Sequence, residues 1–425
     1  MKKFRIEKTT IVYVAIATIF FVGSLGSLVW RSAMATEGES YSALDAQIVA
    51  LDAATKTHPT EIANHIALAN AYVQKVREDG DVTHYDTIAG LLEKVAVLDP
   101  ENADVSAISA VIANGRHNPA LAYALIQKSI AKNKEVASFY GVKADAEIEL
   151  GKYEDAIESL QTMIEKKPNY SVYTRIAYIR ELHGDVIGAE ESLRLAISAG
   201  SNFKENISWA YVELGKLHMR TDVDQAELDF MQSLAIVPDY PPALEGLGRV
   251  AFARGEIKKA KDFFTQALAE LPLATYAIDL GDVYASLGDL QKAKQQYTLA
   301  ELALKKSKAS GVNTDLEYAL FLSDHGDPAL AVLLATESYK VRPTIYGADA
   351  LAWALYKTGA YEESAYFAAL ALRLGEHDPQ IVFHAAMINE ANGEMERAQM
   401  LYRKVGALNP HFSILYAKVL EEKIQ

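Results

Sequence analysis

Histidine is the side chain in this sequence that could most directly bind a metal ion or transfer a proton near neutral pH. The ten histidines are scattered, and two pairs, His58 with His65 and His377 with His384, are each seven residues apart. That spacing places two rings on one helix face, but no carboxylate completes a set such as the HExxH zinc motif. We interpret these histidines as surface or capping residues.

Recognisable motifs for a catalytic nucleophile or a phosphate-binding loop are missing from the sequence as well. There is no cysteine, which excludes disulfides, Cys-ligated zinc, iron–sulfur clusters and thiol chemistry. Neither a GxSxG nucleophile motif nor a P-loop occurs. Adjacent acids, such as Glu190-Glu191 and Glu362-Glu363, fit the solvated side of a helix. We therefore predict that the protein is not an enzyme and that it uses no cofactor and no metal.

Length and composition favour an all-α protein. The chain has 425 residues, which suits two or three domains or one elongated repeat array. Glycine (24) and proline (12) are too few for a β-rich protein of this length. The net charge of -14 disfavours a nucleic-acid partner, because such proteins usually carry a basic face.

The elements that would position any site repeat at a regular interval. The turn glycines are Gly151, Gly184, Gly255, Gly288, Gly326, Gly359 and Gly393, and four of the six intervals between them are 33 or 34 residues. The longest interval contains a further unit in which Thr221 replaces the glycine. Five positions after the turn stands a small residue: Ala156, Ala189, Ala226, Ala260, Ala293, Ala331, Ser364 or Ala398.

This interval has a simple physical explanation. Two helices of about 12–14 residues with their turns make a unit of roughly 34 residues. Glycine ends the first helix, where a left-handed residue is least costly without a Cβ. Alanine stands where two helices cross closely, and prolines such as Pro168 and Pro272 open the next unit.

Several stretches resemble tetratricopeptide (TPR) repeats. They include GKYEDAIESLQTMIEKKP (151–168), DLGDVYASLGDLQKAKQQYTLA (279–300) and ADALAWALYKTGAYEESAYFAALAL (348–372). The Leu-Gly pairs Leu247-Gly248 and Leu280-Gly281 match the family pattern in the first helix of a unit. The resemblance implies an all-α, right-handed superhelical solenoid of helix-turn-helix repeats, which here would follow one N-terminal transmembrane helix.

We divide the chain into four parts. They are a signal-anchor or transmembrane helix (1–31), a linker with an N-terminal cap helix (32–61), an array of about ten repeats whose first two are degenerate (62–410), and a capping helix (411–425). Two junctions in the array are longer than the repeat requires, around Gly200–Ser208 and Lys305–Asn313, and there we expect an extended helix or a loop.

The resemblance also implies a concave groove lined by the first helix of each unit. The phase of the repeat predicts partner-binding groove positions at Tyr178, Lys216, Arg249, Asp282, Tyr346, Trp353, Tyr356, Met387 and Glu390. The aromatic cluster of Tyr346, Trp353 and Tyr356 suits an extended peptide or a helix. The alternative is that these rings pack into the neighbouring repeat, as aromatic residues at helical spacing usually do.

The N-terminus predicts a membrane anchor. From Thr9 to Trp30 the chain runs 22 residues without a charge, long enough to span a bilayer as a helix. Lys2, Lys3, Arg5 and Lys8 precede the run, so the positive-inside rule puts the N-terminus in the cytoplasm and the array outside. A signal peptide cleaved near Ala35 is the alternative, and it would give a secreted array.

Together these patterns predict a membrane-tethered scaffold that binds protein or peptide partners in its groove and assembles an extracytoplasmic complex. A structural, self-assembling homo-oligomer is one alternative. An accessory role in cell-envelope biogenesis or cytochrome maturation is another, since the resemblance includes such proteins. An array that faces the cytoplasm is a further alternative.

Overall fold

A computed structural model describes residues 43–375 and 377–425, and these residues form 22 α-helices and no strand. Twenty of the helices pair into ten antiparallel units that follow one another along the chain. The predicted anchor, 9–30, lies outside the described residues, and no helix within them is both long and apolar enough to cross a membrane. The anchor therefore remains a prediction.

The helices are α1 (Ala43–Thr57), α2 (Ile62–Asp79), α3 (His84–Leu98), α4 (Ala103–Gly115), α5 (Pro119–Lys132), α6 (Ala137–Glu149), α7 (Tyr153–Lys166), α8 (Tyr170–Leu182), α9 (Val186–Ala199), α10 (Lys204–His218), α11 (Val223–Ile236), α12 (Pro241–Ala253), α13 (Ile257–Glu270), α14 (Ala274–Ser286), α15 (Leu290–Ala309), α16 (Asp315–His325), α17 (Pro328–Val341), α18 (Ile345–Lys357), α19 (Tyr361–Ala371), α20 (Pro379–Ala391), α21 (Met395–Leu408) and α22 (Ala417–Ile424). Repeat 1 is the pair α2–α3, and repeat 10 is the pair α20–α21. Helix α1 precedes the array and α22 follows it.

Local sequence explains where the helices end. Gly151 has a φ of 67° in the turn between α6 and α7, the left-handed conformation that glycine adopts most easily. In the degenerate repeat 2, His117 takes the same conformation with a φ of 54°. Asparagine and aspartate side chains then start many of the second helices; Asp222, for example, accepts from the backbone N–H groups of Asp224 and Gln225.

Small residues set how closely the helices of a unit approach. The seven repeat alanines predicted at helix crossings are all at most 2% exposed. The glycine of each Leu-Gly pair faces an aromatic ring of the second helix. A Cβ on Gly248 would lie 2.7 Å from the Phe264 ring, and one on Gly281 would lie 2.4 Å from the Tyr297 ring. The Leu-Gly pair therefore makes room for a buried ring.

The array coils so tightly that its second superhelical turn touches its first, along a line of contacts that we call the seam. The internal turns of repeats 2, 3 and 4 meet the junctions that follow repeats 7, 8 and 9. The contacts join Asn313 N to Arg116 O (3.1 Å), Arg342 Nε to Glu149 Oε2 (2.5 Å), Ile345 N to the Tyr153 hydroxyl (2.9 Å) and His377 Nδ1 to Gly184 O (2.9 Å). Each contact joins one repeat to the junction after the fifth repeat that follows it, so one superhelical turn takes between five and six repeats.

The seam has an apolar part and a charged part. Ile345 and Ala348 of α18 are fully buried in one hydrophobic cluster with Ile148 and Leu182 of the first turn. Beside them Arg342 is 1% exposed and its guanidinium pairs with the Glu149 carboxylate. Burial by itself opposes ionisation of Glu149, but Arg342 and His117 together outweigh it and lower the pKa of this carboxyl to about 2.

The junction at Lys305–Asn313, which the sequence predicts to be long, forms part of the seam. Helix α15 continues to Ala309, and the loop after it turns toward the N-terminal repeats. Val312 is 1% exposed and lies in the hydrophobic cluster of repeat 1, with Leu68 and Ile88. The extra residues therefore pack onto the first superhelical turn, where they add apolar burial.

Candidate functional site: a central chamber

The two superhelical turns enclose a central chamber with a volume of about 510 Å³. One wall comes from the first helices of repeats 4 to 7, which are α8, α10, α12 and α14. The other comes from the beginnings of α18 and α20 and from residues 409–412. The lining includes Tyr178, Glu181, Trp209, Glu213, Lys216, Arg220, Glu245, Arg249, Tyr276, Tyr346, Asp378, Asn409, His411 and Phe412.

The charges of the chamber wall are paired, either within one helix or with the next first helix. Lys216 Nζ lies 2.8 Å from Glu213 Oε1. Arg249 bridges Glu245 on its own helix and Asp279 on the next first helix, with 2.9 Å between Arg249 Nη2 and Asp279 Oδ2. The wall is therefore close to neutral while it still presents hydrogen-bond donors and acceptors.

Aromatic rings occupy the space between the charged pairs. Tyr178 and Trp209 come from the first superhelical turn, Tyr346 from the second, and all three are half-buried. Such rings offer a large contact area with little entropy to lose on binding. Rings beside satisfied charges make a surface suited to a chain with mixed polar and apolar side chains.

The structure brings four of the nine predicted groove residues together in the chamber: Tyr178, Lys216, Arg249 and Tyr346. Asp282 lies one turn away from the wall on α14 and is 8% exposed. Its carboxylate accepts a hydrogen bond from the Tyr297 hydroxyl at 2.8 Å. Burial raises the pKa of Asp282 to about 7; Asp324 adds to this effect, while Tyr297 and Arg249 oppose it.

Trp353 lies elsewhere than the sequence predicts. We expected its ring on an open groove wall, but it is 1% exposed and belongs to the C-terminal hydrophobic cluster. It stacks on the His384 ring with 4.0 Å between ring centroids, and its Nε1 donates to Asp324 Oδ1 at 2.9 Å. For Trp353 the alternative interpretation, packing into the neighbouring repeat, describes this structure.

The three remaining predicted residues lie in the same C-terminal region of the array as Trp353. Tyr356 is half-buried and stacks on it with 4.9 Å between centroids. Met387 Sδ accepts from the Tyr402 hydroxyl at 3.0 Å. Burial opposes ionisation of Glu390, but Lys423 and the Tyr402 hydroxyl outweigh it and lower its pKa. A role of these residues in binding a partner stays a prediction.

The chain's own C-terminus covers this aromatic region. Residues 411–424, which we call the C-terminal segment, cross the first helices of repeats 8 to 10 and end in α22. Phe412 lies 5.1 Å from the Phe383 ring, and Tyr416 meets the Trp353 ring edge-on at 5.7 Å. The predicted groove is therefore divided into an enclosed chamber and a region that is already occupied.

Sequence reasoning missed part of the inner surface. A second cavity of about 210 Å³ lies among the first helices of repeats 1 to 5 and includes Arg77, Asp145 and Arg175. Glu205, in the long junction at Gly200–Ser208, is 5% exposed beside this cavity, and its carboxylate lies 3.7 Å from Arg77. The length of that junction was the available signal, but it does not tell which way the inserted residues point.

Across 43–375 and 377–425, no group of three or more histidine, aspartate or glutamate side chains is placed to hold a metal ion.

Two stretches of the chain match models of the tetratricopeptide repeat, 142–202 and 274–301. The first covers most of repeats 3 and 4, from within α6 onward, and the second covers α14 and the first part of α15. The chain is thus a TPR-like helical repeat scaffold, a class of fold suited to protein interaction. A comparison with curated proteins finds no similar sequence.

Solved TPR-type structures are similar at low identity. The type IV pilus biogenesis factor PilW is 18% identical, with a TM-score of 0.38 over 46% of this chain and 90% of PilW. A tetratricopeptide repeat protein from Parabacteroides merdae is 19% identical, with a TM-score of 0.35 over 64% of this chain and 97% of that protein. Yeast Tom70 is 15% identical, with a TM-score of 0.32 over 89% and 92%.

Proposed function

We propose that this protein is a non-enzymatic scaffold that binds a peptide segment of a partner protein in the central chamber. The observation that carries the proposal is the convergence of Tyr178, Lys216, Arg249 and Tyr346, from both superhelical turns, on one cavity of about 510 Å³. Cavities of a few hundred Å³ with convergent rings and polar groups are the usual form of a binding site.

The shape of the chamber favours a peptide segment over a folded domain. A volume of about 510 Å³ holds only a few side chains. An interface with a globular partner, by contrast, involves roughly 20–30 residues on each side. Because both turns contribute to the walls, a segment bound there contacts α10 and α18 at once and so links the two turns. Binding of this kind stabilises the coiled form by mass action.

We further propose that the scaffold is tethered to a membrane by the segment 9–30 and that the array lies on the extracytoplasmic side. The support is the charge-free length of that segment and the basic residues before it. An extracytoplasmic array would recruit partners to the membrane surface and assemble them into a complex. Secretion after cleavage near Ala35 and an accessory role in envelope biogenesis or cytochrome maturation stay as alternatives.

A pull-down from native membranes tests the chamber. The full-length variant Lys216→Ala/Tyr346→Ala removes one charge and one ring from the chamber wall. The matched control, Lys340→Ala/Tyr366→Ala, removes the same residue types from the outer helices α17 and α19, where Tyr366 is 63% exposed. We expect a specific protein to be retained by the wild type and the control and lost by the chamber variant, at unchanged helicity. Retention by all three would refute binding in the chamber.

One feature favours self-assembly as a second candidate function. Leu333, Tyr366 and Met400 stand at the same position of three consecutive second helices and are 65%, 63% and 60% exposed. A row of apolar side chains at repeat spacing is a surface on which a second copy could pack. Sedimentation velocity over a concentration series tests whether the chain self-associates. If it does so through this row, Leu333→Glu/Met400→Glu would abolish self-association and leave the chamber intact.

A further inference from the structure

The C-terminal segment is held on the inner surface by contacts that resemble those of a bound ligand. Tyr416 places its ring beside Trp353 and Phe383, with 5.2 Å between the Tyr416 and Phe383 centroids. Asp324 Oδ1 accepts from the Tyr416 hydroxyl at 2.5 Å, and Lys357 Nζ donates to that hydroxyl at 2.9 Å. We call this group of four residues around Tyr416 the tyrosine socket.

The socket is built by the first helices of repeats 8, 9 and 10 and not by α21, the helix that directly precedes the segment in the chain. Asp324 belongs to α16, Trp353 and Lys357 to α18, and Phe383 to α20. Asp324 lies 92 residues before Tyr416, so the tyrosine reaches back to repeat 8 although its own helix follows repeat 10. A helix that only covered the open end of the last repeat would have no need of contacts with α16.

The polar groups of the socket are paired with the hydroxyl of Tyr416. Asp324 Oδ1 also accepts from Trp353 Nε1, and Lys357 lies over the Trp353 ring, 4.7 Å from its centroid. A phenylalanine at the same place would leave the carboxylate without one of its donors, which costs free energy in a half-buried position. The hydroxyl is therefore recognised as well as the ring.

A second contact fixes the direction of the segment. Lys423, seven positions after Tyr416, pairs with Glu390 at the far end of α20. Leu420, between them, is 1% exposed in the same hydrophobic cluster. The inner surface of repeats 8 to 10 thus selects a tyrosine, an apolar residue four positions later and a basic residue three positions after that.

We propose that this surface is a second binding site, for a partner segment with the same pattern of tyrosine, apolar and basic residues, and that the C-terminal segment occupies it until the partner displaces it. Displacement is feasible because only Asn409 and Pro410 connect α21 to the segment and because local segments can open at a lower free energy than global unfolding requires. The site is distinct from the chamber contacts of Lys216 and Tyr346, although His411 and Phe412 of the segment also form part of the chamber wall.

The test uses a fluorescent peptide of residues 410–425 as the probe and the full-length chain as the receptor. In the variant Phe412→Ala/Tyr416→Ala the segment loses both ring contacts, so the socket becomes available. We expect the peptide to bind this variant about tenfold or more tightly than the wild type, because the wild-type segment competes at a high effective concentration. A peptide with Tyr416→Phe should bind more weakly, and so should the wild-type peptide when Asp324→Asn is added to the receptor.

Two results would overturn the proposal. One is the absence of saturable peptide binding to a variant that keeps its helical content; the other is equal binding to the variant and to the wild type. If the variant does not fold, a full-length chain with a protease site inserted after Pro410 decides the matter. After cleavage the labelled peptide should exchange into the nicked chain, whereas a segment that never exchanges is a permanent part of the fold. The chamber pull-down changes Lys216 and Tyr346 and leaves the socket residues in place, so a failure of either proposal is recognised separately.

Discussion

Replacing Arg342 by methionine removes the cation at the centre of the seam and leaves most of the apolar side-chain volume in place. Arg342 is 1% exposed, and Glu149 beside it is 8% exposed. The variant therefore leaves a carboxylate buried without its main partner. Breaking a buried ion pair on one side typically costs about 3–5 kcal/mol.

The pKa of Glu149 gives an independent magnitude. The seam lowers it from 4.5 to about 2, and each pKa unit corresponds to about 1.4 kcal/mol, so ionised Glu149 contributes about 3 kcal/mol at neutral pH. Because the pKa is lower in the folded protein, this contribution is complete above pH 4.5 and is lost as the pH falls toward 2. The difference between wild type and Arg342→Met should therefore shrink over that range.

Urea unfolding followed by far-UV circular dichroism measures both effects. At pH 7 we expect Arg342→Met to lower the free energy of unfolding by about 3 kcal/mol, and Arg342→Met/Glu149→Gln to recover much of the loss. The control is Lys340→Met, two positions earlier in α17; the Lys340 side chain is 62% exposed, so the change should alter the free energy of unfolding by less than about 0.5 kcal/mol. If Arg342→Met loses no more unfolding free energy than Lys340→Met, or if its loss does not change with pH, the ion pair does not stabilise the seam and the prediction is refuted.

Three further predictions concern single positions. Asp282→Asn should raise the free energy of unfolding by up to about 4 kcal/mol at pH 8 and change it little at pH 4. The reason is that the raised pKa of Asp282, about 7, makes the stability of the wild type fall as the pH rises from 4 through 7. A stability difference between variant and wild type that does not change with pH would contradict this prediction. Gly246→Ala should destabilise the protein by about 1–3 kcal/mol, because the new Cβ would lie 2.3 Å from the Phe230 ring. Gly90→Ala should stabilise it by about 0.5–1 kcal/mol, because a Cβ there would meet no atom within 4 Å. Chemical denaturation of the two variants should therefore give changes of opposite sign in the free energy of unfolding. Tyr346→Ala should weaken partner binding with little loss of helicity, and a melting temperature that drops with the affinity would show a packing role instead.

Much of the local structure was predictable because it depends on neighbours in the chain. The interval of 33 or 34 residues between turn glycines corresponds to helical hairpins, and the left-handed backbone at Gly151 is where the pattern puts it. The alanines mark helix crossings because only a small side chain fits there. The phase of the repeat also points to Tyr178 and Tyr346 as inward-facing residues, and both line the chamber.

The tyrosine socket and the burial of Trp353 were beyond the repeat pattern. A first-helix aromatic has the same phase whether it faces open solvent or is covered, and the pattern of one repeat carries no information on what covers it. The C-terminal segment was predicted only as a cap, because its apolar residues share one face. Its contact with Asp324 depends on the path that residues 409–416 take between helices.

The helical hairpins and their turns can be derived from the sequence alone, because they follow from backbone geometry and packing within about 34 residues. The closure of the array on itself, with Glu149 against Arg342 and the chamber between two turns, becomes visible only in the folded chain. It depends on the small rotation from each repeat to the next, which accumulates over more than five repeats. A few degrees of difference per repeat would separate the seam, and no single repeat's sequence specifies that angle.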